Sequence, residues 1–189
     1  MDAKFLENKF THAHTYDQYV RTGTGEQQRR WKDAFEDVSI TPQQRALLGG
    51  FAREMKVLVI SGIWCGDCIV QCPMLQRIAD GNRLRINLRF LDRDENLDLA
   101  GHFKVNGGLR VPLALFLAED FELCSIYGER TLSRYRALAA QRLGPACPTG
   151  IVPPGATELS ATLQEWLNEF ERVQLLLRLS PRLREKHGD

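Results

Sequence analysis

An apolar run, Val57-Leu58-Val59-Ile60, is followed within a few residues by a helical pattern over 66–79. The run is rich in β-branched residues and does not alternate, as a strand buried on both faces requires. Ser61-Gly62-Ile63 breaks it, and Ile69, Leu75, Ile78 and Ala79 then recur at helical spacing. Ile86, Leu88 and Phe90 alternate with Asn87 and Arg89, which predicts a second strand. A helix between two strands implies a parallel pair with a right-handed crossover. Asp94 or Asn96 can cap a helix through about Val105. Residues 113–118 and 121–127 are predicted strands joined by Glu119-Asp120, an antiparallel hairpin at the end of the sheet. Residues 131–141 are the last helix of the unit. The order β-α-β-α-β-β-α is therefore readable over 56–142.

Outside this unit the pattern is helical. Three segments open with Thr-x-x-Gln, a capping box in which Thr and Gln side chains satisfy free backbone N–H groups. They are Thr15…Gln18, Thr24…Gln27 and Thr41…Gln44, the last with Pro42 at the first helical position. Trp31, Ala34, Phe35, Val38, Leu47, Leu48 and Phe51 are the expected core residues here. Residues 144–155 are rich in Pro and Gly and read as a linker. Beyond them Leu159, Leu163, Trp166, Leu167, Phe170, Val173 and Leu177 form an apolar stripe. That helix should stop near Ser180, before Pro181, and leave a frayed tail. The expected organisation is a helical extension over 1–55, an α/β domain over 56–142, a linker over 143–156 and a C-terminal helix with tail over 157–189.

Charge and composition narrow the function. Twenty-five basic residues against 24 acidic leave a net charge of +1, so no electrostatic footprint of a nucleic-acid binder is present. No apolar run approaches the length of a membrane span, and the first residues lack the apolar core of a secretory signal. Neither a nucleic acid nor a membrane is an expected partner, and the expected compartment is the cytoplasm. There thiols are kept reduced, and three of the five Cys (Cys65, Cys68, Cys72) cluster. Such clustering points to catalysis or metal binding before structural disulfides.

Trp64-Cys65-Gly66-Asp67-Cys68 lies between the first strand and its helix. A thiol at a helix start meets free N–H groups and the positive end of the dipole, which favour its thiolate. A second thiol three residues on lies one turn away and can close a short disulfide. Cys65 is thus the expected nucleophile and Cys68 the resolving thiol. Asp67, as a free carboxylate near Cys65, should destabilise the thiolate and make the pair a better reductant; a plain helix-capping acid is the alternative. Cys72 is either a third redox thiol, a third metal ligand, or a small buried residue. Cys124 and Cys147 read as incidental. His12, His14 and His102 read as surface or packing residues, so no metal site is expected.

These residues resemble the thioredoxin family. The resemblance rests on Trp64-Cys65-Gly66-Asp67-Cys68, on Pro73 inside the helix, on Val111-Pro112 before the third strand and on Gly128 at the end of the last. It implies the thioredoxin fold, a three-layer α/β/α arrangement with a mixed sheet of about four strands, here with extra N- and C-terminal helices. It implies thiol–disulfide exchange through a redox-active Cys65–Cys68 disulfide, with no dissociable cofactor. Pro112 is expected to be cis, and Val111 to pair through its backbone with an extended substrate. Trp64, Gly66 and Asp67 would complete the substrate groove. Substrates would be protein or small-molecule disulfides, with electrons from a reductase or a low-molecular-weight thiol. The chain departs from the family in carrying Asp67 between the thiols, Val59 where many members have a buried acid, a longer 106–110 segment and no strand before the first. The N-terminal helices are expected to replace that unit or cover the sheet edge. Two rivals remain: a redox-inactive binding module on the same fold, and a metal-binding protein using Cys65, Cys68 and Cys72.

Overall fold

The structure is a computed structural model, and it describes residues 2–143 and 158–189. Four helices come first: α1 (Ala3–His12), α2 (Tyr16–Arg21), α3 (Gly25–Glu36) and α4 (Pro42–Gly49). The last three each open on the expected capping box, with the Thr oxygen accepting from the Gln backbone and the Gln side chain bonded to the Thr backbone. The α/β part follows as β1 (Met55–Ser61), α5 (Gly66–Asp80), β2 (Ile86–Asp92), α6 (Leu97–Ala100), β3 (Leu113–Leu117), β4 (Leu123–Gly128) and α7 (Leu132–Leu143). Helices α8 (Glu158–Leu179) and α9 (Pro181–His187) end the chain.

The sheet order is β2-β1-β3-β4, with β1 parallel to β2 and antiparallel to β3, and β3 antiparallel to β4. β1 and β3 are buried along their whole length, so helices cover both faces. Register assigns the faces. Val57, Val59, Phe90, Ala114 and Phe116 lie on one side, where Phe116 meets Phe170 of α8 and Phe90 stacks on Tyr19 of α2. Lys56 lies on the other, with its ammonium over Phe121, whose ring meets Phe10 of α1. The outer edge of β2 is closed at one point, where His14 exchanges two backbone bonds with Phe90 (2.9 and 2.8 Å). The N-terminal segment thus covers the sheet edge, which would otherwise expose unpaired backbone groups.

Several local expectations are corrected. Ser61 does not break β1 but ends it, fully buried. The helix expected through Val105 stops at Ala100; Val105 instead bonds Gly108 across Asn106 and Gly107, both at positive φ. Phe121 is not in β4. It closes a three-residue loop at φ 65°, with Ala118 bonded to both Phe121 and Glu122. The tail is not frayed. Leu183 of α9 is buried, Lys186 and His187 pair with Glu119 (2.5 and 2.8 Å), and Asp189 pairs with the buried Arg53. Leu159, expected on the apolar stripe, is exposed. Of the expected linker, residues 144–156 lie outside the described residues, as does Cys147.

Candidate active site

β1 delivers the chain to the C-terminal edge of the sheet, and α5 starts there. Cys65 is the N-cap of α5, with extended backbone (φ −81°, ψ 126°) and no capping bond from its side chain. Its N–H donates to the Gly62 carbonyl (2.9 Å), which fixes the turn between strand and helix. Gly62 is required by close approach: a Cβ there would lie 2.9 Å from the Trp64 ring. Trp64 and Gly66 are exposed on either side of the half-buried Cys65. Trp64 is a flat apolar surface 48% open to solvent, with the Arg93 guanidinium 4.8 Å over its ring. Arg93 also bonds the Leu109 carbonyl and Asp94.

Cys68 sits one turn into α5, fully buried, and its sulfur accepts from the Gly62 N–H (3.4 Å). Cys65 and Cys68 lie one turn apart at the start of α5. At Cys65 the neighbouring Cys68 thiol is the largest influence and raises the pKa. Burial adds to the rise, and the backbone N–H groups of Cys68 and Asp67 oppose it. At Cys68 burial dominates and pushes the thiol well up. Across from them, the Val111–Pro112 peptide is cis, and the Val111 carbonyl lies 3.8 Å from the Cys65 sulfur. Both residues are buried, so Val111 faces the dithiol through its backbone. Gly128 makes room for that loop. It sits at φ +132°, and a Cβ would come within 2.4 Å of the Pro112 carbonyl.

Asp67 corrects the expectation of a free carboxylate beside the thiols. Its oxygens are held by Arg130 (2.6 Å) and Arg134 (2.9 Å), and its side chain is only 12% exposed. It makes no capping bond. Burial alone would raise this carboxyl, but the two guanidiniums outweigh it and hold the pKa below the usual value. The guanidiniums also cancel most of its field at Cys65. Asp67→Asn is therefore expected to raise the dithiol midpoint potential by no more than about 15 mV, half of what one pKa unit is worth for a two-electron couple. Its effect on stability is larger. A depressed carboxyl stabilises the fold above its unfolded pKa, and the contribution disappears as pH falls through the folded value. Urea unfolding at pH 7 should show Asp67→Asn less stable by about 1.5 kcal/mol, and the gap should close on acidification below about pH 4.

Sequence reasoning missed the partners that hold this region. Gln71 of α5 is fully buried, donates to the Glu129 carbonyl (2.9 Å) and accepts from Trp166 Nε1 (3.1 Å) of α8. Trp31 Nε1 donates to the Ile63 carbonyl (2.9 Å), tying α3 to the active-site turn. A polar residue on the core face of α5 was the available signal for Gln71; the others are fixed by long-range contacts. Cys72 is fully buried, 3.5 Å from Ser61 Oγ, and Cys124 is half-buried on β4. Among the described residues no group of three or more His, Cys, Asp and Glu side chains could hold a metal ion. His12 bonds the Asn8 carbonyl, and His102 packs on Phe5.

Residues 13–140 match a family model described as thioredoxin. The chain belongs to the thioredoxin family. The match begins at residue 13, well before the strand at which the resemblance in sequence starts, so α2, α3 and α4 fall within the family unit. The thioredoxin fold is similar to that of a protein of unknown function from Pseudomonas aeruginosa, with a TM-score of 0.66, 16% identity and coverage of 87% of this chain and 93% of that one. It is also similar to an HIV epitope-scaffold (TM-score 0.63, 18% identity, coverage 88% and 95%). At these identities the likeness concerns fold alone. No curated protein sequence matches this thioredoxin-family chain.

Proposed function

We propose that the protein is a thiol–disulfide oxidoreductase that reduces protein or small-molecule disulfides. The observation that carries this reading is a half-exposed Cys65 at the start of α5, one turn before the buried Cys68 and facing the Val111 carbonyl. Cys65 as thiolate attacks one sulfur of the substrate disulfide; the S–S bond breaks, a mixed disulfide forms, and the released thiolate takes a proton from solvent. Cys68 then loses its proton and attacks Cys65 Sγ. The second substrate thiol leaves, and the pair is oxidised to a disulfide while the substrate gains two electrons. Trp64 and Gly66 border the entrance, and the Val111 backbone receives an extended substrate segment. No dissociable cofactor takes part; a reductase or a low-molecular-weight thiol restores the dithiol.

The direction follows from the thiols' surroundings. Strongly oxidising dithiols owe their potential to a stabilised reduced form with a low thiol pKa. Here both thiols are pushed up instead, which supports the reducing direction. Among the described residues no helix is long and apolar enough to cross a membrane. A reductant belongs where thiols stay reduced, and the cytoplasm is the proposed compartment. Removing the resolving thiol tests the mechanism. Cys68→Ser should accumulate a covalent adduct between Cys65 and a disulfide substrate, seen by mass spectrometry without reductant, while wild-type protein releases it. Absence of an adduct on Cys65 counts against the mechanism.

A further inference from the structure

β2 is an edge strand, and its residues 85–89 border a groove of about 1120 Å³. Phe90 turns its N–H and carbonyl away from β1, and His14 takes both. Every second residue of a strand faces the same edge, so Leu88 and Ile86 turn their backbone groups the same way. The Ile86 N–H donates to the Asn82 carbonyl (2.9 Å), and the Arg89 guanidinium donates to the Leu88 carbonyl (3.1 Å). The Leu88 N–H and the Ile86 carbonyl have no partner on that side among the described residues. Segment 13–15 lies antiparallel on this edge at Phe90, then turns into α2 at Tyr16 and leaves the rest of the edge to the groove. Six cations line the groove (Arg21, Arg29, Lys32, Arg83, Arg85 and Arg89) against three carboxylates (Asp17, Glu54 and Asp80). Two of the carboxylates are engaged, Asp80 with Arg83 (2.8 Å) and Glu54 with Lys56 (2.5 Å). Arg21, Arg29 and Arg85 are exposed and make no ion pair among the described residues. The whole chain carries only +1, so this surplus is local. Leu84, also on the lining, is 90% exposed.

We propose that this groove binds an acidic peptide segment in extended form, added to the sheet beside β2, with its side chains alternately apolar and acidic. The Leu88 N–H and the Ile86 carbonyl take its backbone, as in other cases of strand addition to an open edge. The alternation follows from the two faces of β2. Ile86 and Leu88 lie on the Phe90 face, where Tyr16 packs on both Phe90 and Phe35 and makes the lining apolar. Asn87 and Arg89 lie on the opposite face, and successive side chains of an added strand point to the two faces in turn. The exposed guanidiniums of Arg21, Arg29 and Arg85 attract the acidic side chains and set the sign of the partner. A nucleic acid would satisfy the cations but brings neither a peptide N–H for the Ile86 carbonyl nor aliphatic side chains for the apolar lining. The groove is separate from the dithiol. Cys65 caps the start of α5 and Asp80, its last residue, lines the groove, about 20 Å away along the helix axis. The inference therefore stands whether or not the dithiol is redox-active.

The full chain is titrated against a fluorescein-labelled decapeptide of alternating Glu and Val, and binding is read by fluorescence anisotropy. Saturable binding is expected, weakening as salt is raised. Arg21→Glu, Arg29→Glu and Arg85→Glu combined should weaken it at least about tenfold without lowering Tm, because these side chains are exposed and unpaired. Arg45→Glu, exposed on α4 outside the groove, should leave affinity within about twofold. A peptide with Pro in place of each Val keeps every charge but loses half its backbone donors, and should bind at least about tenfold more weakly. Cys65→Ser should bind the Glu-Val peptide as wild-type protein does. No saturable binding, equal binding of a Lys-Val peptide, or unchanged affinity in the combined variant overturns the proposal. Equal binding of the Pro peptide overturns the strand addition. Tighter binding of a ten-nucleotide oligothymidylate overturns it in favour of a nucleic-acid site, and binding lost in Cys65→Ser would place the peptide at the dithiol instead.

Discussion

Cys65→Ser is expected to lower the rate of disulfide reduction by at least about 10³-fold, because a serine hydroxyl is scarcely ionised at neutral pH and forms no mixed disulfide. Turnover of a protein disulfide under a dithiol reductant measures it. The fold offers a clean control. Cys65 is the N-cap of α5 and makes no side-chain capping bond, whereas serine is a preferred N-cap that can accept from the free N–H groups of the first turn. The variant should therefore be as stable as wild-type protein or more so, by up to about 1 kcal/mol. Lost activity with equal or greater stability isolates the chemistry of the sulfur. Residual activity within tenfold of wild type would place the nucleophile elsewhere.

Trp166→Ala is expected to cost about 3–5 kcal/mol of stability, a large share of what a domain of this size possesses. Trp166 is fully buried on α8, its ring meets Tyr127 of β4 edge-on at 4.9 Å, and its Nε1 donates to Gln71. Truncation removes the ring and leaves Gln71 Oε1 without that donor inside α5. α5 carries the dithiol, so loss of α8 packing should loosen the site and the core in a single transition. Urea unfolding followed by tryptophan fluorescence and by thiol accessibility should give coincident midpoints, both lowered. Leu175 of the same helix is 54% exposed, and Leu175→Ala should stay within about 0.5 kcal/mol. A small loss at Trp166, or a dithiol that stays protected after α8 has unfolded, would show the C-terminal helix to be an independent appendage.

Local chemistry made part of this molecule legible. The three Thr-x-x-Gln boxes each open a helix because the signal needs only four neighbouring residues. The non-alternating run at 57–60 marks β1 because a strand covered on both faces has no polar side to show. Cys65 and the cis Val111–Pro112 peptide, both singled out in the sequence, lie against each other, the Val111 carbonyl 3.8 Å from the Cys65 sulfur. The misses depend on distant partners or on turn chemistry. α9 exists because Glu119, Arg53 and a buried slot for Leu183 hold it, more than 60 residues from its own sequence. Asp67 could be placed at the helix start but not between Arg130 and Arg134. Ser61, polar and next to Gly62, looked like the end of order; instead it points into the core beneath α5. Asn106-Gly107 did carry a turn signature, and giving it weight would have ended the helix before Val105.

The measurement that bears most directly on all of this is the redox equilibrium of Cys65 and Cys68 against a graded thiol buffer, with peptide mapping of the bond formed. Thiol–disulfide exchange by a reductant predicts a reversible Cys65–Cys68 disulfide with a midpoint near about −270 mV or below. A midpoint near about −120 mV would contradict the reducing direction. An intact fold in which no reversible Cys65–Cys68 bond forms would contradict the oxidoreductase itself.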